Sequence, residues 1–453
     1  QTLLNTMRLL FCLLFLFMYS TAQGQERVPN AITLSQAVEN GLKNNRAIIN
    51  ATRDVQKAYK DRWNTIAIGL PQISSSVDYQ NFIELPVSLV PAEFFGGEKG
   101  EFAELRFGTE QNIVAGVKLN QLLFDGSYLV GLEASKIFLS ISQNVLEKTQ
   151  IEVRKNIVNT YASVLLAQEN VSILEKNKSQ LNANLIELRA LFENGFQEEE
   201  SIEQLRLTLA EINTQLRYAQ NLQTITLNML KLLLGIPIEK YLSLLDNLES
   251  LIDDGLFESS INQSESVANN IDVKIAENNL VSESLLYRYE QSKALPKLSA
   301  FINGNYSGFG NQFNFLKSDQ KWFGSSLIGI SLNVPVFSSF GKSALRQKAK
   351  IAMEQAQTDL EETQNRVQLE IASAKNDYQL AVETYFTSKE NLTLAVNIEK
   401  KNQTKYFEGI ASSFELREAQ LQLYGAQRNY LQSIQNVIAK KATLIAILNL
   451  PQK

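Results

Sequence analysis

The sequence contains an internal duplication, and its register restricts the fold more than any other feature. Gly409 lies 214 residues after Gly195, and Pro451 lies 214 residues after Pro237. Each glycine interrupts a long run of helical periodicity, and each proline ends the helical run that follows. A repeat of this kind predicts a chain built from two copies of one structural unit.

Both copies show the same order of patterns: a helix, two strands, a very long helix, a turn and a last helix. The first repeat, residues 25–237, is predicted to contain helix 33–68, strands 71–81 and 112–124, helix 128–193 and helix 198–235. The second repeat, residues 264–453, is predicted to contain helix 264–294, strands 297–308 and 324–337, helix 343–408 and helix 413–449. Residues 238–263 are interpreted as an equatorial linker, and residues 82–110 as a long surface loop.

The four predicted strands alternate apolar and polar residues, as strands with one apolar and one polar face do. Their length of about 9 to 13 residues suits tilted strands that cross a membrane. Aromatic residues stand at the strand ends, as in the interfacial girdles of outer-membrane barrels. These aromatic residues are Tyr79, Phe82, Phe124, Tyr306, Phe309, Trp322, Phe323, Phe337 and Phe340.

Four strands are too few to close a barrel, because bacterial barrels have at least about eight. An open sheet edge is not tolerated in lipid. If the strands cross a membrane, several chains must therefore share one barrel. The alternative is a half-buried sheet in a soluble protein. The aromatic strand ends favour the barrel, and so does a secretory-signal pattern in the first 24 residues.

The two longest helical runs would each extend roughly 100 Å, at about 1.5 Å per residue. Within the first of them, Leu174, Leu181, Leu185, Leu188 and Phe192 follow the spacing of a coiled coil. The two shorter helices of each repeat together match the long one in length. The sequence therefore predicts a helical wall of even length that continues the strands.

The composition excludes several classes of function. The chain has no histidine, which excludes a Ser-His-Asp triad, a histidine general base and a histidine-ligated metal. Its net charge of −5 argues against a nucleic-acid partner. The single cysteine, Cys12, lies in a segment that we expect to be removed, so no thiol site is expected either. We therefore predict neither an enzyme nor a cofactor.

The first 24 residues have the pattern of a secretory signal peptide. Met7 and Arg8 form a short basic start, Leu9 to Tyr19 is apolar, and small and polar residues follow to Gly24. Residues 1–6 precede the expected start of translation. The apolar run falls well short of the roughly 20 residues that a membrane-spanning helix needs.

Several short segments recur in a fixed order and spacing: Thr33–Ala37 with Asn44–Asn45, Gly69–Ile73, Leu123–Gly126, Asn194–Gly195, Leu233–Pro237, Ala294–Leu298 and Val334–Phe337. In order, spacing and duplication these segments resemble the TolC-type outer-membrane efflux proteins. The resemblance covers nearly all of the mature chain. It implies a homotrimer with a 12-stranded barrel in the outer membrane of a Gram-negative bacterium, continued by a helical tunnel in the periplasm.

The resemblance also implies partners. A channel of this family contacts outer-membrane lipid and docks on a periplasmic adaptor (membrane fusion) protein. The inner-membrane partner is a pump of the RND, ABC or MFS type, or a type I secretion transporter. Drug efflux, metal efflux and protein secretion all use such a conduit, since the pump selects the cargo.

The family's gate residues map onto the second interhelical turn. Aligned through Gly409, its acidic ring at the periplasmic mouth falls on Glu415 and Glu418, and a tyrosine of its closed gate falls on Tyr406. The basic member of that network falls on Ala411, which cannot form an ion pair. The alternative is that acids in the first turn of a helix only complement its dipole.

The turns themselves are expected to form the hairpin tips. Gly195 and Gly409 suit the left-handed residue that ends a helix, and Ser412 or Ser413 suits the cap of the next helix. The first tip is also acidic, with Glu198, Glu199 and Glu200, and would face either the lumen or an adaptor.

Two other classes of protein remain as alternatives. A periplasmic adaptor with a coiled-coil hairpin would need a single hairpin inserted in a lipoyl-like β-domain. A purely structural coiled coil would leave the four alternating strands without a role.

Overall fold

The computed structural model describes residues 31–253 and 267–450. The expected signal peptide, residues 1–24, and residues 254–263 of the expected linker lie outside these ranges. Long helices and antiparallel strands make up most of the described chain.

The longer elements repeat in the same order in the two halves: a helix, two long strands, a very long helix and a last helix. The helices are α1 (Leu34–Asn44), α2 (Arg46–Ile68), α3 (Gly126–Glu193), α4 (Glu199–Leu233), α5 (Leu248–Asp253), α6 (Ile271–Ser292), α7 (Gly341–Phe407) and α8 (Ser413–Leu448). The strands are β1 (Ala31–Ile32), β2 (Gln72–Asn81), β3 (Val87–Pro91), β4 (Phe102–Arg106), β5 (Gln111–Asp125), β6 (Ser243–Leu244), β7 (Lys297–Gly310) and β8 (Trp322–Asn333). Short 3-10 turns cover Ala92–Phe95 and Val267–Asn269.

The described residues divide into two compact units. The first comprises residues 31–46, 152–253 and 376–444, and the second comprises residues 47–151, 267–375 and 445–450. The first unit holds α1, α4, most of α8 and the later parts of α3 and α7. The second holds α2, α6, all the longer strands and the early parts of α3 and α7.

Coiled-coil packing forms much of the core of the first unit. Leu174 and Leu181 of α3 pack against Ile212, Leu216 and Ala219 of α4. The predicted coiled-coil leucines of α3 are all buried, whereas Phe192 at the end of the series is 40% exposed. The helix ends at Glu193, so the last position of the series has little left to pack against.

A second cluster in this unit surrounds Tyr161, whose side chain is fully buried. Its hydroxyl lies 2.7 Å from Asp246 Oδ2 and 3.0 Å from the Ile32 carbonyl oxygen. The same Asp246 oxygen accepts the backbone N–H of Leu34 at 2.6 Å. Burial, followed by the hydrogen bond to Asp246, raises the pKa of Tyr161. These bonds secure the start of α1 and the parallel pair β1–β6.

The second unit contains a four-stranded antiparallel sheet with the order β2–β5–β7–β8. Asp125 ends β5 and starts α3, because its Oδ1 accepts the backbone N–H of Ser127 at 2.8 Å and that of Tyr128 at 3.2 Å. A helical core packs Val273 of α6 against Leu360, Val367 and Ile371 of α7.

The duplication extends to single hydrogen bonds. Asn45 Nδ2 donates to the carbonyl oxygen of Leu233 at 2.8 Å, and Asn270 Nδ2 donates to that of Ile447 at 2.8 Å. The first bond lies in the first unit and the second in the second unit. Each asparagine supplies a donor to a carbonyl that the end of a helix leaves free.

The residues that end these helices are left-handed in both repeats. Gly235 has φ 69°, and Asn449, 214 residues later, has φ 50°. Asparagine is among the few residues that adopt this conformation at modest cost. Its Nδ2 also lies 2.8 Å from Glu147 Oε1 and 3.2 Å from the Asn269 carbonyl oxygen. Burial acts to raise the pKa of Glu147, but hydrogen bonds from Asn449 and Lys274 outweigh it and lower the pKa.

Three predicted elements differ from the structure by a break or by more than two residues at one end. The predicted helix 33–68 is two helices, because Asn45 is extended (φ −62°, ψ 130°). A capping box formed by Thr33 and Gln36 starts the first of them. The predicted helix 264–294 begins at Ile271, where the Asn270 side chain accepts the N–H of Asp272, and residues 264–266 lie outside the described ranges. Strand 324–337 ends at Asn333, shortly before Pro335, which has no N–H to donate to a neighbouring strand.

The interpretation of residues 82–110 as a loop was wrong in part. The segment contains the hairpin β3–β4, which pairs Val87 with Arg106 and Pro91 with Phe102. Glycines and prolines lie at its turns and ends, and two strands of five residues between them are too short to give clear alternation.

Candidate functional site

The interhelical turns at Gly195 and Gly409 have the same geometry. Both glycines are left-handed, with φ 79° and φ 77°. The N–H of Phe196 donates to Leu191 O at 2.9 Å, and the N–H of Ile410 donates to Lys405 O at 2.8 Å. These six-to-one hydrogen bonds close the helix ends in the way that a left-handed glycine permits. No heavy atom lies within 4 Å of a Cβ built on either glycine, so only the backbone conformation requires glycine here.

The second turn then starts α8 with a capping box. Ser412 is the cap residue: its hydroxyl accepts the backbone N–H of Glu415 at 3.3 Å. The Glu415 carboxylate in turn accepts the Ser412 N–H at 2.7 Å and its hydroxyl at 3.0 Å. A carboxylate at this position satisfies backbone donors that the helix leaves free. Glu415 therefore has a structural role in the tip of a single protomer.

These bonds make the capping strength of Glu415 dependent on pH. The backbone and side-chain hydrogen bonds from Ser412 lower the pKa of Glu415 below its ordinary value of 4.5. Since the folded pKa is the lower one, the stabilisation is complete above about pH 4.5 and is lost as the pH falls through the folded pKa. We expect hydrogen exchange in the first turn of α8, corrected for intrinsic rates, to accelerate as the pH falls from about 4.5 through the folded pKa of Glu415.

Glu415→Gln should weaken this acceleration, whereas Glu418→Gln should leave it unchanged. Glu418 is exposed and makes no capping bond in the described part of the chain. If both variants behave like the parent chain, the capping role of Glu415 is wrong.

The acids of the first tip are arranged differently. Glu198 caps α4 by position but makes no side-chain capping bond. Glu199 and Glu200 lie in the first turn, and Glu200 accepts Gln204 Nε2 at 3.0 Å. Exposed apolar side chains accompany both tips: Phe196 at the first, Ile410 and Phe414 at the second. Each tip thus exposes apolar and acidic groups together.

Tyr406 does not extend from the surface of the tip. Its side chain is 5% exposed and packs with Leu188 and Leu416, and Ala411 lies against the same cluster. Burial raises the pKa of Tyr406, and the neighbouring Ser201 opposes that shift. Ala411 thus contributes an apolar contact. In the TolC-type proteins that the sequence resembles, this position carries a basic residue.

Polar groups line a small cavity beside Tyr406 inside the same bundle. Its walls include Asn184, Ser201, Gln204 and Gln420. Asn184 Nδ2, Gln204 Oε1 and the Tyr406 hydroxyl have no hydrogen-bond partner of good geometry among the described residues. Unpaired buried polar atoms destabilise their surroundings unless water reaches them. The core of the tip therefore combines apolar packing with buried polar atoms that lack partners among the described residues.

The sheet of the second unit has one apolar and one polar face. Ile73, Leu119, Ile302 and Ile328 stand side by side across all four strands on the apolar face. One residue further along β2, the row on the other face is Ser74, Lys118, Asn303 and Leu327. Ile73 and Ile328 are more than 70% exposed. Rows of exposed large apolar side chains are rare on the surface of water-soluble proteins.

Gln121 of β5 falls on the apolar face, where it pairs with Ala300 of β7. Its Nε2 lies 2.8 Å from the Gly69 carbonyl oxygen and 2.7 Å from that of Leu122. The side chain is therefore satisfied by backbone groups at the end of the sheet.

The outer edges of the sheet, on β2 and β8, pair with no other strand among the described residues. An exposed edge with a flat apolar face is a site where another chain can add. The sheet therefore presents unpaired backbone donors and acceptors along 10 residues of β2 and 12 residues of β8.

Other kinds of site find no support in the described ranges. Within them, histidine, cysteine and acidic residues form no cluster able to hold a metal ion. In residues 31–253 and 267–450, none of the helices combines the length and the apolar character that crossing a membrane requires.

Known proteins with similar sequences and folds are outer-membrane proteins. Residues 263–450 match the family described as outer membrane efflux protein. The chain is 21% identical over 322 residues to the outer membrane protein TolC of Vibrio cholerae. The aligned region covers 70% of this chain and 72% of the relative.

Two solved structures share the fold over almost the whole chain. The similarity to CusC has a TM-score of 0.74 and 18% identity, with 95% of each chain covered. The outer membrane channel CmeC of Campylobacter jejuni gives a TM-score of 0.72 and 18% identity, over 92% of this chain and 85% of that one.

Proposed function

We propose that this chain, whose residues 263–450 belong to the outer membrane efflux protein family, is the exit duct of a tripartite efflux or type I secretion system in the bacterial outer membrane. Three copies form the duct. It passes cargo from an inner-membrane pump and a periplasmic adaptor to the exterior. The chain is a conduit and not an enzyme.

The observation that carries this proposal is the sheet with an apolar face and two unpaired edges. Its strands are long enough to cross a bilayer at a tilt. In lipid each open edge must be paired, because unsatisfied backbone groups are costly there. Three sheets of four strands close into a barrel of about twelve strands, within the range of bacterial barrels.

The same observation distinguishes the duct from the alternatives. A periplasmic adaptor or a structural coiled coil has no use for an exposed apolar row across four strands. The two hairpin tips, with their left-handed glycines and exposed Phe196, Ile410 and Phe414, form the surface on which the adaptor docks. Glu198, Glu199 and Glu200 extend that surface.

Reconstitution of the full chain into a planar bilayer tests the function. We expect discrete conductance steps from a species with the mass of three chains. A chain that remains monomeric and does not conduct in a bilayer would contradict the proposed duct.

Within the duct, Glu415 and Glu418 form an acidic ring at the narrow mouth. The Glu415 carboxylate is charged at neutral pH, and the hydrogen bonds from Ser412 that cap α8 lower its pKa further. Three copies of each acid on one axis favour cations and repel one another. Tyr406 acts from within each tip, through the packing that holds Leu416 and thereby the start of α8.

Glu415→Ala combined with Glu418→Ala should therefore reduce cation selectivity and relieve block by divalent cations in single-channel recordings. The matched control is Glu199→Ala combined with Glu200→Ala, which removes the same charge from the first tip. Unchanged selectivity in the first double variant, or an equal change in both, would rule out an acidic ring at the second tip.

A further inference from the structure

The connection between β8 and α7 exposes a cluster of apolar side chains. Val336 is 91% exposed, Phe337 77% and Phe340 79%. The two phenyl rings pack edge to face with centroids 6.1 Å apart. Ser339 and Phe340 are both left-handed, with φ 48° and φ 63°, which is uncommon for residues other than glycine. The Phe340 ring is therefore held outward by a backbone conformation that residues other than glycine disfavour.

A cationic segment follows at once. The first ten residues of α7, Gly341–Lys350, contain four basic residues and no acid; the basic residues are Lys342, Arg346, Lys348 and Lys350. Lys342 Nζ donates to the Lys293 carbonyl oxygen at 2.8 Å, and Lys350 Nζ lies 3.5 Å from Glu354. Arg346 and Lys348 are exposed and have no ion pair or hydrogen bond with any described residue.

Helix formation does not account for these charges. A basic residue in the first turn, such as Lys342, opposes the helix dipole, and Arg346 and Lys348 lie beyond that turn, where the dipole has little effect. The corresponding start of α3 in the first repeat, Gly126–Ser135, has the acid Glu133 and no base. The first repeat forms the same helix without these basic residues. The fold that the two repeats share therefore does not need Arg346 or Lys348.

We propose that this segment binds anionic phospholipid: Phe337 and Phe340 enter the boundary between headgroups and acyl chains, and Arg346 and Lys348 bind lipid phosphates. The inference rests on the proposed function, in which the sheet crosses the membrane and β8 ends near its surface. Aromatic residues followed by exposed cations are the pattern of an interfacial anchor.

The spacing along the helix fits this placement. At about 1.5 Å per residue, Arg346 lies about 9 Å along α7 from Phe340, and Lys348 about 12 Å. The headgroup region on each side of a bilayer is roughly 5 to 8 Å thick. Long cationic side chains reach back toward the membrane from just outside it, so both charges can contact headgroups.

Native mass spectrometry of the full chain tests the proposal directly. The assembled protein in nonionic detergent is mixed with equimolar phosphatidylglycerol and phosphatidylcholine of the same acyl chains, and the retained lipids are counted. We expect phosphatidylglycerol to be retained at least about fivefold more, since each cation near an anionic surface contributes roughly that factor. Arg346→Gln with Lys348→Gln should bring the ratio close to one.

Three control variants separate charge from folding. Lys400→Gln with Lys401→Gln removes two exposed cations elsewhere on α7 and should keep the preference. Arg346→Lys with Lys348→Arg conserves charge and should keep it too. Phe337→Ser with Phe340→Ser should lower retention of both lipids while the mass of the protein assembly stays the same.

The proposal is overturned if the parent chain shows no preference, or if Arg346→Gln with Lys348→Gln leaves the ratio unchanged. It is also overturned if the phenylalanine variant loses the assembly but retains lipid, since the cluster would then pack against a second copy of the chain. A failure of the proposed function is distinct, because the parent chain would then form no conducting oligomer at all.

Discussion

Ile328→Arg should abolish assembly of the channel in the outer membrane, whereas Leu327→Arg should leave it assembled. Ile328 lies in the apolar row across all four strands, near the middle of the paired length of β7 and β8. An arginine on the lipid face at the bilayer midplane costs about 2 to 4 kcal/mol. Three copies would incur that cost together in a trimer.

Leu327 is the matched control because it lies at the same depth on the opposite face. Its row contains Ser74, Lys118 and Asn303, so a cation already stands there. The measurement is the fraction of chain recovered from outer membranes as an oligomer that resists mild detergent. Equal recovery of the two variants would mean that the apolar row does not face lipid.

Gly235→Ala should destabilise the first unit far more than Gly409→Ala. Both glycines are left-handed, with φ 69° and φ 77°, so alanine costs roughly 1 to 2 kcal/mol at either position. At Gly235 a Cβ would in addition collide with the Asn44 carbonyl oxygen, whereas at Gly409 it meets nothing within 4 Å. Overpacking of this kind adds about 1 to 3 kcal/mol.

The difference can be measured by hydrogen exchange. We expect Gly235→Ala to lower protection of α1 and the end of α4, and to lower the melting temperature of the assembly by several degrees. Gly409→Ala should change exchange only around its own turn. Similar losses in the two variants would show that backbone conformation alone, and not the contact with Asn44, requires glycine at position 235.

Much of the fold can be predicted from the sequence, because the two repeats independently indicate the same order of helices and strands. The interval from Gly195 to Gly409 locates both hairpin turns, and both have the left-handed geometry that their glycines predict. The alternation around Ile302 and Ile328 identifies the apolar face, since a strand exposes every second residue to the same side. Periodicity over many residues makes such predictions specific.

The features that sequence analysis missed depend on single contacts. Asn45 breaks the first helix because its side chain donates to Leu233, which is remote in sequence. Asn449 takes the place of a glycine because its amide has acceptors in Glu147 and Asn269.

At the candidate gate the sequence identified residues but not their surroundings. Glu415 was predicted as a member of an acidic ring, and the structure adds a capping bond with Ser412. Tyr406 was predicted as part of the gate, and its side chain lies inside the protomer beside Ser201 and Asn184. Only packing shows which way a side chain on a long helix points. A signal was nevertheless present: serine followed three residues later by glutamate is the sequence of a capping box.

Disulfide formation between the edge strands tests the central claim, closure of the open sheet by other copies, most directly. With Cys12 replaced by serine, Ser76→Cys on β2 is paired in turn with Ser325→Cys, Leu327→Cys and Ser331→Cys on β8, and the membranes are oxidised. Within one chain β2 and β8 are separated by two strands, about 14 Å. That distance exceeds the roughly 7 Å between Cα atoms that a disulfide can bridge. We predict covalent dimers and trimers with at least one of these pairs, and no larger species. Monomers alone with every pair, in chains that still reach the outer membrane, would contradict closure of the barrel by neighbouring copies.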